Sequence, residues 1–410
     1  MSKTIILLTG TFPFGVGESF LELEIEYLAA VVDSVIIVPE KLCGVRRPLP
    51  ANVRLYTGLG EQAGRHGKLL KLISAIVLCL RRAKDIRFNW RYFKRLLTDE
   101  YYASLTQRLV GQLIRNEGLS YQSVLCYSYW FSGVAVGLVR LKNANNNLKV
   151  VTRAHRWDLY ETIGALPEFP FRKDIIASFD AVFCIAAHGK NHLESSFGTS
   201  NVVLSRLGVR RPRSGSLRRG SESISLVSCS FIHRVKRLDR IIEAIAVLAL
   251  RYPSVKFTWT HIGSGASSSN IAEVAEKCFA GAVNLRYGFA GNLSNKQVIE
   301  FYEENFVDCF LNLSESEGLP VSMMEAMSFG IPVVAPDVGG IAEIVTPDSG
   351  ILLSSQPTPG EVADGIAAIT IQAPDDRYRS GARLLWEKRF DADTNYRKFA
   401  DHLSGLFDHQ

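Results

Sequence analysis

The 410-residue sequence contains no Cys-x-x-Cys pair; its seven cysteines stand apart at positions 43, 79, 126, 184, 229, 278 and 309. This spacing excludes a zinc ribbon, and with several of them inside apolar runs they read as buried thiols of a reducing compartment. No apolar run approaches the roughly twenty residues that a membrane-crossing helix needs; the stretch 69–80 (LLKLISAIVLCL) has twelve. The first residues, MSKTIILLTG, lack the apolar length and the small-residue cleavage site of a signal peptide, so a cytoplasmic protein is expected. No nucleic-acid recognition module is present, and nucleic acid is not expected as a partner. The acid pairs Asp375-Asp376 and Asp391-x-Asp393 lie in a polar loop and near a terminal helix, away from strand ends, so no metal site is expected. Hydrophobic residues at 47% and charged residues at 21% exclude a disordered chain.

What is present is an α/β rhythm in a chain too long for one hydrophobic core, so two domains are expected. Residues 307–335 carry its clearest unit. The runs 307–313 and 331–335 are nearly continuous in β-branched and apolar residues, as strands covered on both faces are, and 320–329 between them is helix-prone. Pro320 suits a first helical turn, and Gly330 followed by Pro332 is a stop signal. In such a βαβ unit, residues 314–319 fall beyond the carboxyl end of a strand, where open parallel sheets bind ligands, and the N–H groups of the following helix suit an anion. Glu317 in that turn and Glu325 in that helix have two readings: acceptors for sugar or ribose hydroxyls, or ordinary surface charges.

The N-terminal half repeats the rhythm. A strand at 4–8 leads into a loop, 9–17, with three glycines; a helix follows at 20–31 and a strand at 35–38. Gly15 and Gly17 permit close approach of backbone to a ligand. Further strands are predicted at 123–127 and 149–153, the second followed by Ala154-His155-Arg156-Trp157-Asp158, where His155 sits at a strand's carboxyl end. The run 209–220 (VRRPRSGSLRRG) has no apolar periodicity and reads as a solvated hinge. A strand at 224–229, then Phe231-Ile232-His233-Arg234-Val235-Lys236-Arg237, then a helix at 238–250 open the second half. Strands at 256–261 and 285–289 follow, each ending at glycines. Residues 65–95 hold ten Lys or Arg against one acid, interleaved with aromatics. That pattern fits either a helix lying on an anionic membrane or a buried helix followed by a solvated basic face.

Glu317-Gly318-Leu319-Pro320, Glu325-Ala326-Met327, Gly330-Ile331-Pro332-Val333-Val334 and Gly339-Gly340 with Glu343 together resemble the signature of retaining glycosyltransferases of family four, in which two glutamates seven residues apart belong to the nucleotide-sugar site. The resemblance implies an α/β protein of GT-B fold, two Rossmann-like doubly wound domains facing a cleft. Residues 1–208 would be the acceptor-side domain, closed by a C-terminal helix at 386–410; 209–222 would be the hinge and 223–385 the nucleotide-sugar domain. It also implies roles. Glu317 would contact the transferred sugar and Glu325 the ribose, while Gly318, Leu319, Pro320 and Val321 offer backbone to the diphosphate, supported by Gly339 and Gly340. Gly15 and Gly17 would approach the donor, His155 would lie against the donor sugar, and Asp158 would hold the His155 loop. Lys236 matches the family's diphosphate-binding lysine, but the matching arginine is Phe231, so Arg234 or Arg237 would supply the second cation. The substrate would be a UDP- or GDP-linked sugar with no cofactor, and the acceptor a glycan or lipid-linked molecule of a bacterial surface polysaccharide. A sugar-nucleotide epimerase or hydrolase, and a non-catalytic nucleotide-sugar scaffold, are the competing readings.

Overall fold

Runs of Ile, Leu and Val that do not alternate with polar residues must be covered on both faces, and parallel strands flanked by helices achieve this. The first such set is β1 (Thr4–Thr9), β2 (Ser34–Pro39), β3 (Val53–Leu55), β4 (Val124–Ser128), β5 (Lys149–Ala154), β6 (Ala181–Cys184) and β7 (Val202–Leu204). They form one parallel sheet in the order β3-β2-β1-β4-β5-β6-β7. The second set is β8 (Ile224–Cys229), β9 (Phe257–Ile262), β10 (Leu285–Gly291), β11 (Cys309–Leu311), β12 (Val333–Pro336) and β13 (Gly350–Leu353). It forms a parallel sheet in the order β10-β9-β8-β11-β12-β13. This computed structural model describes residues 2–15, 17–64, 90–160, 169–213, 220, 222–372 and 376–408. Contacts divide the chain into two bodies, Met1–Ser205 with Tyr396–Gln410, and Arg206–Asn395.

In the first body the strands send alternate side chains to two cores. Ile6, Leu8, Cys126 and Val150 meet the helices Trp90–Asn116 and Gly133–Asn143 on one face. On that face Gly133 and Gly137 let the two helices close up, since a Cβ at either would lie 2.7 Å or less from the backbone of Asp99 or Ala103. Ile5, Leu7, Tyr127 and Phe183 meet the helix Leu21–Val31 and the tail residues Phe399, Leu403 and Phe407 on the other face. The Phe399 ring stands edge-on to Phe183 and Tyr127 at 4.9 and 5.5 Å. A buried ion pair crosses this layer. Arg153 on β5 meets Glu24 on the helix Leu21–Val31, and the Tyr127 hydroxyl donates to the same carboxylate at 2.9 Å.

Three sequence expectations are corrected. The tail is not one closing helix over 386–410. The helix Arg377–Arg389 stops at Phe390, a second runs from Ala392 to Gly405, and Trp386 is buried in the second body while Tyr396 and Phe399 are buried in the first. Pro320 stands just outside its helix as N-cap, with extended ψ of 117°, and the helix proper is Val321–Ser328. The cysteines are not all buried: Cys126, Cys184 and Cys309 are, whereas Cys43 and Cys278 are exposed. The basic segment 65–95 lies outside the described residues up to 89, as do 214–219 and 221 of the expected hinge. Among the described residues no helix is long and apolar enough to cross a membrane.

Candidate functional site

In each sheet the strand order reverses direction once, between β1 and β4 in the first and between β8 and β11 in the second. Crevices at the carboxyl ends of such strands are where open α/β sheets bind ligands, because the flanking connections depart to opposite faces there. The loops that the sequence marks out emerge at these two points. They are 10–18 and 129–133 in the first body, and 230–237 and 312–320 in the second.

The second body has the denser chemistry. Lys236 closes a short 3-10 turn, Arg234–Lys236, and its ammonium lies 2.5 Å from the Glu317 carboxylate. Glu317 is only 6% exposed, so the reading of a solvated surface charge is corrected. Two backbone contacts hold the pair. The Glu315 N–H donates to Val235 O at 2.9 Å, and the Gly340 N–H donates to Gly318 O at 3.0 Å. Gly339 has a left-handed φ of 57°, and a Cβ there would lie 1.9 Å from the Glu317 carbonyl oxygen, so only glycine lets the 339–340 turn sit under the Glu317 loop.

Behind that loop the helix Val321–Ser328 is buried through Met323, Met324, Glu325, Ala326 and Met327, which fixes its start. Among the described residues the N–H groups of Gly318, Leu319, Val321 and Ser322 meet no acceptor, so this helix start presents free donors to an anion. Glu325 is also 6% exposed rather than surface-lying. Burial pushes its carboxyl up to about 8, only partly offset by the amide of Asn295, which donates to it. Asn295 opens the helix Asn295–Glu304, which a Ser294/Gln297 capping box anchors after β10.

The neighbouring loops interlock through glycine. A Cβ at Gly263, φ 135°, would lie 1.9 Å from Ser230 O, and one at Gly265 would lie 2.2 Å from Ile232 O. At the end of β9, His261 is buried and pushed down to about 4, with its Nδ1 2.9 Å from the Ser228 hydroxyl; it is a neutral packing residue. Phe231, where the resemblance calls for arginine, is 61% exposed, and Arg234 is exposed beside it. Arg237 takes a left-handed φ of 50° to start the helix Leu238–Arg251.

In the first body, Gly15 has φ 67°, and the 43–47 segment grips its loop. Gly15 N–H donates to Val45 O at 3.0 Å, and Arg47 donates to Gly15 O at 2.8 Å and to Gly17 O. His155 packs against Trp130 at 4.4 Å and Tyr129 at 4.7 Å. Asp158 accepts the N–H groups of His155 at 2.7 Å and Phe131 at 2.9 Å, tying the turn after β5 to the turn after β4. The structure thus gathers Lys236, Glu317, Gly318, Leu319, Gly339 and Gly340 in the second body, and His155 with Asp158 in the first. Sequence reasoning missed Asn295, Glu18 and Trp130. Asn295 had a signal in the Ser294-x-x-Gln297 cap; Trp130 lies in the aromatic run 127–133 (YSYWFSG) that follows the strand predicted at 123–127. Among the described residues no group of three or more His, Cys, Asp or Glu side chains is placed to hold a metal ion.

Residues 213–382 match the family model described as Glycosyl transferases group 1. The chain is 23% identical over 193 residues to an uncharacterized glycosyltransferase of Haemophilus influenzae, a match covering 47% of this chain and 52% of that protein, so it spans about half the length of that relative. It is 24% identical over 313 residues to the O-antigen biosynthesis glycosyltransferase WbnH of Escherichia coli, covering 75% of this chain and 78% of that protein. The structure of S. aureus TarM in complex with fondaparinux, alpha-GlcNAc-glycerol and UDP superposes over 99% of this chain and 100% of its own, with a TM-score of 0.66 at 14% identity, a likeness of fold. The chain has the GT-B fold, and its residues 213–382 are similar to the group 1 glycosyltransferases.

Proposed function

We propose that the protein is a metal-independent, retaining hexosyltransferase that moves a sugar from a UDP- or GDP-linked donor to a hydroxyl of a glycan or lipid-linked acceptor, in the assembly of a bacterial surface polysaccharide. The Lys236 to Glu317 contact at 2.5 Å carries this reading. It sets a cation for a departing diphosphate beside a carboxylate for sugar hydroxyls, with the open N–H groups of 318, 319, 321 and 322 next to both. Fixed donors of this kind stabilise a leaving phosphate without a metal ion. Glu325, buried and bonded to Asn295, is positioned for the ribose hydroxyls, and a carboxyl raised to about 8 can both donate and accept there.

In the reaction the acceptor oxygen forms a bond to the anomeric carbon on the face from which the diphosphate departs. The bond from that carbon to the phosphate oxygen breaks, and the acceptor proton passes to the departing phosphate. Products are a glycoside of unchanged anomeric configuration and a nucleoside diphosphate. His155, enclosed by Trp130 and Tyr129, is assigned to the transferred sugar, with Asp158 holding its turn. Arg234 or Arg237 shares the phosphate with Lys236, in place of an arginine at Phe231. Attachment of residues 65–95 to anionic lipid at the cytoplasmic face would bring a lipid-linked acceptor to the enzyme.

The test is incubation with UDP-, GDP- and ADP-sugars, with and without lipid-linked glycan acceptors, following nucleotide release and the fate of the sugar. Sugar appearing on the acceptor with retained configuration, in the presence of a chelator, is the expected result. Donor epimerisation or hydrolysis that ignores the acceptor would replace the transferase reading, and nucleotide binding without turnover would make the chain a scaffold.

A further inference from the structure

Glu18 closes the glycine loop after β1 with a left-handed φ of 53°, a conformation that disfavours a non-glycine residue. Its carboxylate accepts the N–H groups of Gly10 at 2.9 Å, Thr11 at 2.6 Å and Phe12 at 2.7 Å, and the Thr11 hydroxyl at 3.2 Å. The fifth donor is the indole N–H of Trp130. A carboxylate with five donors is saturated and has no acceptor site left for a substrate. The nest of three successive amides, which would otherwise suit a phosphate, is filled by the protein's own anion.

What Glu18 does is fix Trp130. With its N–H consumed, that indole has only ring faces left to offer. His155 lies 4.4 Å from it and Trp157 5.2 Å from it, and Phe20 stands edge-on at 6.2 Å. Trp157 is 42% exposed, two residues past His155 at the carboxyl end of β5, with the Arg95 guanidinium 6.0 Å from its ring. A pyranose ring has C–H groups on its faces and hydroxyls on its rim, and its faces fit an exposed indole bordered by a guanidinium. A bare lipid phosphate would gain nothing from an indole face.

We propose that Trp157 is a stacking platform for a sugar ring of the acceptor, and that Glu18 is the positioning residue that holds this platform through Trp130. The proposal rests on the transferase reading and commits the acceptor to a sugar-bearing molecule. The donor assignment lies with Lys236 and Glu317 in the other body, so the two readings fail separately.

The experiment uses the full chain with octyl hexopyranosides and polyprenyl-diphosphate-linked sugars as acceptors, and calorimetric titration of UDP and GDP as the donor control. Trp157→Ala is expected to raise the acceptor KM about tenfold, with nucleotide affinity unchanged and Trp157→Phe keeping most of the wild-type value. Glu18→Gln is expected to raise the same KM, and to add less in the Trp157→Ala background than alone, which a merely structural role would not produce. Trp130→Phe, which keeps a ring but removes the N–H, gives the same coupling should Glu18→Gln not fold. An unchanged KM in Trp157→Ala, or equal defects in the Phe and Ala variants, overturns the platform. Strict additivity of Glu18 with Trp157 overturns the positioning role. Wild-type protein that binds nucleotide yet transfers to none of these acceptors overturns the proposal, whereas failure to bind any nucleotide overturns the donor assignment instead.

Discussion

Gly339→Ala tests whether the Glu317 loop is set by a backbone contact rather than by its side chains. Two costs act on it. An alanine at φ 57° meets the left-handed penalty of about 1–2 kcal/mol. Its Cβ would also start 1.9 Å from the Glu317 carbonyl oxygen, against an ordinary contact of 3.4 Å or more. The oxygen, or the turn beneath it, has to retreat by about 1.5 Å, and displacing a packed group in this way costs about 1–3 kcal/mol. Together these destabilise the second body by about 2–5 kcal/mol. Gly281→Ala is the matched control. It lies in the same body with φ 82°, and nothing stands within 4 Å of its Cβ, so it pays only the first cost.

The functional consequence is larger than the difference in stability. A displacement of about 1 Å at a reacting group costs on the order of a hundredfold in rate, and here the moved carbonyl belongs to Glu317, whose carboxylate is the one proposed for the transferred sugar. Thermal unfolding and initial rates of sugar transfer are measured on both variants. Gly339→Ala is expected to melt below Gly281→Ala and to lose about a hundredfold in turnover, while Gly281→Ala keeps near wild-type turnover. Equal melting temperatures and equal rates would mean that the 339–340 turn moves aside freely and does not set Glu317.

Three further outcomes are expected. Folded Glu325 keeps its proton up to about 8 whereas an unfolded glutamate releases it near 4.5, so the folded state binds the extra proton in that window and stability falls as pH rises through it; Glu325→Gln should flatten the urea-unfolding profile there, with a residual slope from Glu40, which burial and the Glu18 charge also raise to about 8. Lys236→Met leaves the nearly buried Glu317 carboxylate without its cation, at a cost of about 1–3 kcal/mol, and calorimetry should show weaker nucleoside-diphosphate binding. Glu24→Gln strips the fully buried Arg153 of its counter-charge and should destabilise the first body by about 3–5 kcal/mol in urea unfolding, with Glu24→Gln/Arg153→Met less harmful than Glu24→Gln alone.

Legibility in the sequence followed the range of the forces involved. Strands that are apolar runs of local composition were readable, as β8 was, expected at 224–229 and lying at Ile224–Cys229, whereas β3, β6, β7 and β13 were not singled out. The helix Leu238–Arg251 was readable because its apolar residues recur at helical spacing. Lys236 and Glu317 were each singled out, but their contact joins residues 81 positions apart and depends on β8 lying beside β11, which local pattern does not specify. The break at Phe390 and Asp391 was missed because the tail is helical in composition throughout. What divides it is tertiary: Val209 and Asp391 form a bridge, and the Asn395 amide donates to Leu207 O and Arg389 O.

Glu18 shows the same limit in its strongest form. In sequence it is one more acid beside a glycine loop, and the expectation there was close approach of backbone to a ligand at Gly15 and Gly17. Three N–H groups of that loop, at 10, 11 and 12, are closed on Glu18, and that of Gly15 is closed on Val45. The open amides lie in the other body, at 318, 319, 321 and 322, where no side chain among the described residues folds back to fill them. The two glycine-marked loops therefore differ in chemistry although they occupy equivalent places at the switch points of their sheets. One offers N–H groups that suit the proposed substrate phosphate, and the other is an anion site already satisfied by Glu18, whose product is a fixed row of rings. Under the proposed function, that asymmetry is the reason for seating the charged donor in the second body and for seeking the acceptor ring at the aromatic row of the first.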